Sequence, residues 1–211
     1  MSVLVYTESW EGNFRKSTFE AVSYASETAK LLGTDVVAVS LGEVSDDELS
    51  KLGNFGATKV ISIASVNKGD SQGTTNAIAS LSSDASAIVF SNTYSAKMIA
   101  PRLSAKLNAG AISNVIEVAS NTSPFTVKRK AFSTKAIEIT TVSSEKAILS
   151  LAPNSFGLRE TAGSCSIEKS DFSENGVITI EGQETASGKI SISEAEIVVS
   201  GGRGLKGPEN W

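Results

Sequence analysis

Short apolar runs alternate with segments of helical spacing along the first half of the chain. The runs at 3–6, 36–41, 59–63 and 87–90 are predicted strands. Between and after them, amphipathic spacing predicts helices over residues 18–32, 45–52, 76–81 and 98–107. Because neighbouring parallel strands need a crossover, this alternation predicts an α/β fold whose parallel sheet carries helices on both faces.

Polar residues mark the ends of two of these helices. Ser17 with Glu20, and Ser45 with Glu48, have the spacing of capping boxes, in which each side chain bonds the other residue's amide. Gly33 stands where a left-handed residue ends a helix. The sequence therefore predicts sharp starts near residues 18 and 46 and a stop at Gly33.

The pattern changes beyond residue 112. Strand-like runs follow one another with short polar connections, which predicts an antiparallel extension of the sheet over residues 115–118, 126–131, 136–140 and 146–151. Further strands are predicted within 156–170 and at 176–182 and 195–199. The polar stretch 183–187 is a predicted linker, so we expect a first domain over 1–188 and the truncated start of a second over 189–211.

A glycine-rich turn follows the last predicted strand. Residues 202–207, GRGLKG, fit the pattern G-x-G-x-x-G, in which glycines let the backbone approach a phosphate. Arg203 adds a cation able to bind a phosphate or a flavin edge. Two simpler interpretations stay open: a tail that happens to contain glycines, and an Arg203 that closes the loop on Glu209. Pro208 suits the first turn of a following helix.

The amino-acid composition limits the catalytic and metal sites that this chain can form. The 211 residues include no histidine and one cysteine, Cys165, with a net charge of −4. Histidine-based catalytic triads and zinc sites are thereby excluded, and we predict neither catalytic residues nor a metal site. Basic residues form no block and apolar runs are short, so we expect no nucleic-acid partner and no membrane insertion. The absence of a recognisable targeting segment predicts a cytoplasmic protein, or a mitochondrial matrix protein in a eukaryote.

Longer strings resemble one known family. VVSGGRGLK at 198–206, followed by Glu209 and Asn210, closely resembles the opening of the FAD domain in electron transfer flavoprotein alpha subunits. TESWEG at 7–12, GATKV at 56–60, PRLSAKL at 101–107 and AISNV at 111–115 resemble other segments of the same family, in the same order. The resemblance covers essentially the whole chain.

The resemblance implies an electron carrier rather than an enzyme. It implies an adenine-nucleotide-hydrolase-like N-terminal domain that packs against a beta subunit in a heterodimer. FAD would lie mainly in the C-terminal domain of alpha, contacted by Arg203 with Gly202 and Gly204, and AMP would lie in beta. The expected function is to carry electrons from acyl-CoA and other dehydrogenases to the quinone pool through electron transfer flavoprotein-quinone oxidoreductase, in fatty acid beta-oxidation.

Some residues depart from the family or leave alternatives open. Asn114 replaces the usual Asp, and residues 130–135 replace a Pro-x-Tyr-Ala-Gly-Asn string, which puts contacts of that hairpin in doubt. Trp10 and Phe14 are expected to fold over the core, and the loop 91–95 to serve packing and subunit contact. Cys165 is expected to be a structural thiol. The competing functions are an NAD-dependent oxidoreductase and a free-standing nucleotide-binding module.

Overall fold

A computed structural model describes residues 1–173, 176, 178, 180–182, 192, 195 and 197–210. The strands are β1 (Ser2–Tyr6), β2 (Ser9–Trp10), β3 (Asn13–Phe14), β4 (Asp35–Leu41), β5 (Lys59–Ile63), β6 (Ala85–Ser91), β7 (Gly110–Val115), β8 (Asn121–Thr122), β9 (Phe125–Ala131), β10 (Ala136–Val142), β11 (Ala147–Leu151) and β12 (Ser166–Lys169). The α-helices are α1 (Lys16–Leu32), α2 (Asp46–Ser50), α3 (Ser71–Ser80) and α4 (Tyr94–Leu107). Short 3₁₀ helices cover Lys51–Phe55, Arg203–Leu205 and Pro208–Asn210.

In the described part of the chain, ten strands form one sheet, in the order β10-β9-β7-β11-β6-β1-β4-β5-β12, with β8 paired to β9. The run from β7 to β12 is parallel throughout. The antiparallel part is confined to β8, β9 and β10, beside β7. The predicted class, a parallel α/β sheet with an antiparallel extension, is confirmed.

Strand β11 lies in the parallel centre of the sheet, so the antiparallel assignment of residues 146–151 is wrong. Ile148 aligns with Ile88 of β6 on one side and with Ala111 of β7 on the other. The Lys146 ammonium donates to three main-chain carbonyls around the start of β6, at 2.7–3.0 Å. All five residues of β11 are buried, as is typical of a strand covered on both faces.

Alternate residues of the central strands enter two separate cores. Val3 and Val5 of β1 belong to the core that contains Tyr24 of α1. Leu4 lies in the opposite core, with Leu103 of α4. A sheet with helices on both faces can bury every apolar position of such a strand, which explains the continuous apolar runs.

Two helices begin earlier than predicted because polar side chains cap them. Asp70 accepts from the amides of Gln72 and Gly73, and α3 therefore starts at Ser71 rather than near residue 76. Thr93 caps α4 in the same way through Ala96. These first turns carry no clear apolar stripe, so periodicity alone misses them.

The two predicted capping boxes have different outcomes. Ser45 accepts from the Glu48 amide as expected, but the Glu48 carboxylate accepts from the Phe14 amide instead of reaching back. The box of Ser17 and Glu20 is wrong: α1 starts at Lys16 without a side-chain cap. The predicted stop is confirmed, since Gly33 has φ 63°.

Glu20 instead holds the loop that follows β11. Its carboxylate is buried and accepts from the amides of Asn154, Phe156 and Gly157, at 2.7–2.8 Å. The Phe156 ring packs edge-on against Tyr24, with ring centroids 5.3 Å apart. The loop is thereby fixed across α1 on its way to the far edge of the sheet.

The described residues do not form the two strands predicted beyond β12. Residues 176, 178 and 180–182 are not in a strand, and neither are residues 195 and 197–199. The predicted linker at 183–187 and the boundary at 188 lie outside the described residues, so the division into two domains stays a prediction.

Candidate functional site

The glycine turn is an exposed segment with a short helical core. The Leu205 amide donates to the Gly202 carbonyl at 3.0 Å, and the Asn210 side chain donates to the Leu205 carbonyl at 2.7 Å. A 3₁₀ helix starts at Pro208, where the sequence predicted a helix start. Among the described residues, no ion pair joins Arg203 to Glu209, so the loop-closing interpretation of Arg203 finds no support.

The first two glycines of the turn are not required by the packing of the described residues. A Cβ added to Gly202 or Gly204 would meet no atom within 4 Å. Neither glycine has a positive φ, so backbone conformation does not require glycine either. The free space beside these glycines and the exposed Arg203 guanidinium are compatible with an anionic group such as the diphosphate of FAD. The described residues thus fit one edge of such a site.

A second candidate site lies where the strand order reverses. From β1 the chain proceeds to β4 and β5 on one side, and then returns to β6 on the other. In doubly wound sheets, ligands bind in the crevice at the carboxyl ends of the strands at this point. Here the crevice lies between the residues that follow β1 and β6.

The Glu8 side chain occupies this crevice. It accepts from the Thr93 hydroxyl at 2.7 Å and from the Ser95 hydroxyl at 2.6 Å, beside the N-terminus of α4. The Glu8 carbonyl also accepts from the Thr18 hydroxyl at 2.7 Å. A helix N-terminus favours negative charge, and here a carboxylate of the chain itself stands where a nucleotide phosphate would bind. A nucleotide would have to displace it.

A pocket of about 230 Å³ adjoins this carboxylate. Lys68 and Trp10 line it with Glu8. The Lys68 ammonium donates to the Ser9 carbonyl at 2.6 Å, and burial lowers the pKa of this lysine. The pocket is smaller than the usual range of about 300–1,000 Å³ for small-molecule sites. It therefore gives no room for a dinucleotide.

The aromatic residues of the first loop fold back, as expected. Phe14 is buried, with its ring 6.0 Å from that of Phe19. Trp10 is half-buried under the Arg15 guanidinium, which lies 4.2 Å from its ring centre. Neither residue forms an exposed patch.

Two further sequence candidates have structural roles. Asn114, with φ 59°, hydrogen-bonds Asn92 of the loop after β6, at 2.5 Å between the side chains. Burial raises the pKa of the Cys165 thiol, which lies against the carbonyls of Leu49 and Ser50. A raised pKa keeps the thiol protonated and unreactive, in agreement with the expected structural thiol.

The comparisons with known proteins agree with the sequence motifs. Residues 3–175 match the electron transfer flavoprotein domain. The chain belongs to the electron transfer flavoprotein family. It is 31% identical to electron transfer flavoprotein subunit alpha of Bacillus subtilis and 27% identical to that of Syntrophomonas wolfei, over 99% and 97% of this chain. It is also 27% identical to Protein FixB of Clostridium saccharobutylicum, over 99% of this chain.

The chain spans 66% of the length of each of these three relatives. The domain match ends at residue 175, before the glycine turn. The roles of Gly202, Arg203 and Gly204 therefore stay predictions. Among the described residues, no helix has the length and apolar character needed to cross a membrane, and no cluster of three potential metal ligands occurs.

Proposed function

We propose that this chain is the alpha subunit of an electron transfer flavoprotein. With a beta subunit, it carries electrons on FAD from acyl-CoA and other dehydrogenases to the quinone pool, through electron transfer flavoprotein-quinone oxidoreductase in fatty acid beta-oxidation. The observation that carries the proposal is the similarity to alpha subunits over nearly the full chain. FAD supplies the redox chemistry, and AMP is proposed to bind in the beta subunit.

The residues of the glycine turn would bind and orient the cofactor. Gly202 and Gly204 leave the backbone open for a close approach, and the Arg203 guanidinium carries a fixed positive charge. The first 188 residues would form the domain that packs against beta, and residues 189–211 would open the FAD-binding domain. We propose a cytoplasmic location, or the mitochondrial matrix in a eukaryote.

Closure of the crevice between β1 and β6 weighs against a free-standing nucleotide-binding module. Such a module needs an anion site at the carboxyl edge of the sheet. In this chain the Glu8 carboxylate already accepts hydrogen bonds from the Thr93 and Ser95 hydroxyls at that edge. A role of this region in packing is the simpler account.

The decisive experiment is to co-express the gene that encodes this chain with the gene of its beta subunit, and to analyse the product by size-exclusion chromatography. We expect a yellow 1:1 complex whose flavin is bleached by an acyl-CoA dehydrogenase with its substrate, and whose colour returns when the quinone oxidoreductase and a quinone, the final electron acceptor, are added. A colourless protein that elutes apart from beta at micromolar concentration would contradict the proposal. Turnover of NAD by the chain alone would favour the oxidoreductase.

A further inference from the structure

The hairpin of β9 and β10 projects from the body of the domain. Every residue from 132 to 139 is exposed. Strand β10 is the last strand of the sheet, and among the described residues it pairs only with β9. Its outer edge therefore presents unpaired main-chain amides and carbonyls, which can accept a further strand. We call residues 128–139 the hairpin arm.

The hairpin arm carries large apolar side chains in solvent. Phe132 at its tip is 78% exposed, and Ile137 and Ile139 are 56% and 68% exposed. The register places Ile137 opposite Lys130 and Ile139 opposite Lys128, so both isoleucines lie on one face with these lysines. Exposed apolar groups rimmed by charges are typical of a surface that binds a partner.

The arm is basic, although the chain as a whole is acidic. Residues 128–139 contain four basic residues and one acidic residue, against a net charge of −4 for the chain. Lys128 and Arg129 pair with Glu117 and Glu138. Among the described residues, the Lys130 and Lys135 ammonium groups have no carboxylate within ion-pair distance. The unpaired positive charge favours an acidic partner surface.

We propose that the hairpin arm is the docking site for an acidic partner strand, which adds to the free edge of β10. The inference deepens the proposed function and rests on it, because the partner to be tested is the beta subunit. Main-chain hydrogen bonds would extend the sheet, while Ile137 and Ile139 become buried and Lys130 and Lys135 meet carboxylates.

The charge and apolar content of the arm argue against other occupants. A second copy would present another basic arm, whose single carboxylate, Glu138, already pairs with Arg129, so it offers no acidic partner for Lys130 and Lys135. Nucleic acid would contact the lysines through its phosphates but would leave the apolar side chains of Phe132, Ile137 and Ile139 exposed. An acidic protein strand can bury the apolar side chains and pair with the basic ones.

The test compares paired variants of the natural protein for binding to the beta subunit. Ile137→Asp with Ile139→Asp should weaken binding about tenfold to a hundredfold. Leu31→Asp is the control, because Leu31 is exposed to a similar extent (54%) on α1. Lys130→Glu with Lys135→Glu should weaken binding about tenfold and reduce its salt dependence. Lys97→Glu with Lys106→Glu makes the same charge change on α4 and should leave binding within about twofold of wild type.

The outcomes separate this inference from the proposed function. If wild type binds no beta subunit, the proposed function fails. If wild type binds and both arm variants bind equally well, the docking site is wrong while the proposed function stands. A wild-type protein that dimerises with itself, or binds nucleic acid, through the arm would also overturn the inference. Circular dichroism of each variant must match wild type, since a folded arm variant with weakened binding is the supporting result.

Discussion

Replacing the buried carboxylate of Glu20 tests how the loop after β11 is held. Glu20→Gln keeps the size of the side chain but removes its charge. One oxygen of Glu20 accepts from the amides of Phe156 and Gly157, and the other accepts from the amide of Asn154. In the variant, one amide oxygen can still accept from the first two. The new NH₂ group then faces the Asn154 amide, donor against donor.

The cost follows from these three hydrogen bonds. A bond to a charged group contributes about 1.5–3 kcal/mol, and a bond between neutral groups about 0.5–1.5 kcal/mol. Two bonds weaken and the third is lost, so we expect Glu20→Gln to lower the free energy of unfolding by about 3.5–6 kcal/mol. For a domain of this size, each kcal/mol lowers Tm by about 2–4 °C. Tm should therefore fall by roughly 7–24 °C.

Urea unfolding and amide hydrogen exchange provide the assay. We expect the amides of Asn154, Phe156 and Gly157 to lose protection together in the variant. Glu27→Gln is the control on the same helix: its carboxylate pairs with Lys30 and with Arg159 of the loop, but these pairs are exposed, so its removal should cost less than about 1 kcal/mol. A loss below about 0.5 kcal/mol in Glu20→Gln, with unchanged exchange, would refute the reasoning.

Three further predictions concern other carboxylates and the glycine turn. Burial raises the pKa of Glu48, but bonds from Lys51 and the Phe14 amide outweigh it and lower the pKa below 4.5. The ionised Glu48 carboxylate therefore stabilises the fold above pH 4.5, and this stabilisation is lost as the pH falls further. In acid unfolding titrations, the difference in stability between wild type and Glu48→Gln should therefore disappear. A difference that stays constant with pH would contradict this. In the natural protein with its beta subunit, Arg203→Ala should weaken FAD retention about tenfold to a hundredfold by flavin fluorescence, and unchanged retention would remove Arg203 from the site. Calorimetry should detect no binding of ATP, AMP or NAD to the crevice at Glu8, and nucleotide binding there would show that the crevice is open. The Glu8→Ala variant should lower the free energy of unfolding by about 1–3 kcal/mol.

Local sequence determined the elements of the parallel sheet and the family. Strand β5 was predicted to the residue, and the stop at Gly33 and the Ser45 cap were predicted correctly. Each of these features depends on a few neighbouring residues, either an apolar run or a residue that suits one backbone conformation. The family strings are local in the same sense, and the domain match covers those between residues 7 and 115. The site assignment at 202–204 comes from such a string alone and stays a prediction.

Tertiary structure alone decided the partners of residues distant in sequence. Glu20 has the spacing of a capping residue, yet its partners lie more than 130 residues away, and local spacing cannot choose between two sets of donors. Residues 147–151 look like the next strand of a meander, but Lys146 and two flanking strands place them at the centre of the sheet. Glu8 closes the crevice only because the topology brings the ends of β1 and β6 side by side. Hydrophobic pattern specifies which residues are buried, whereas strand order and long-range polar contacts depend on the packing of the whole chain.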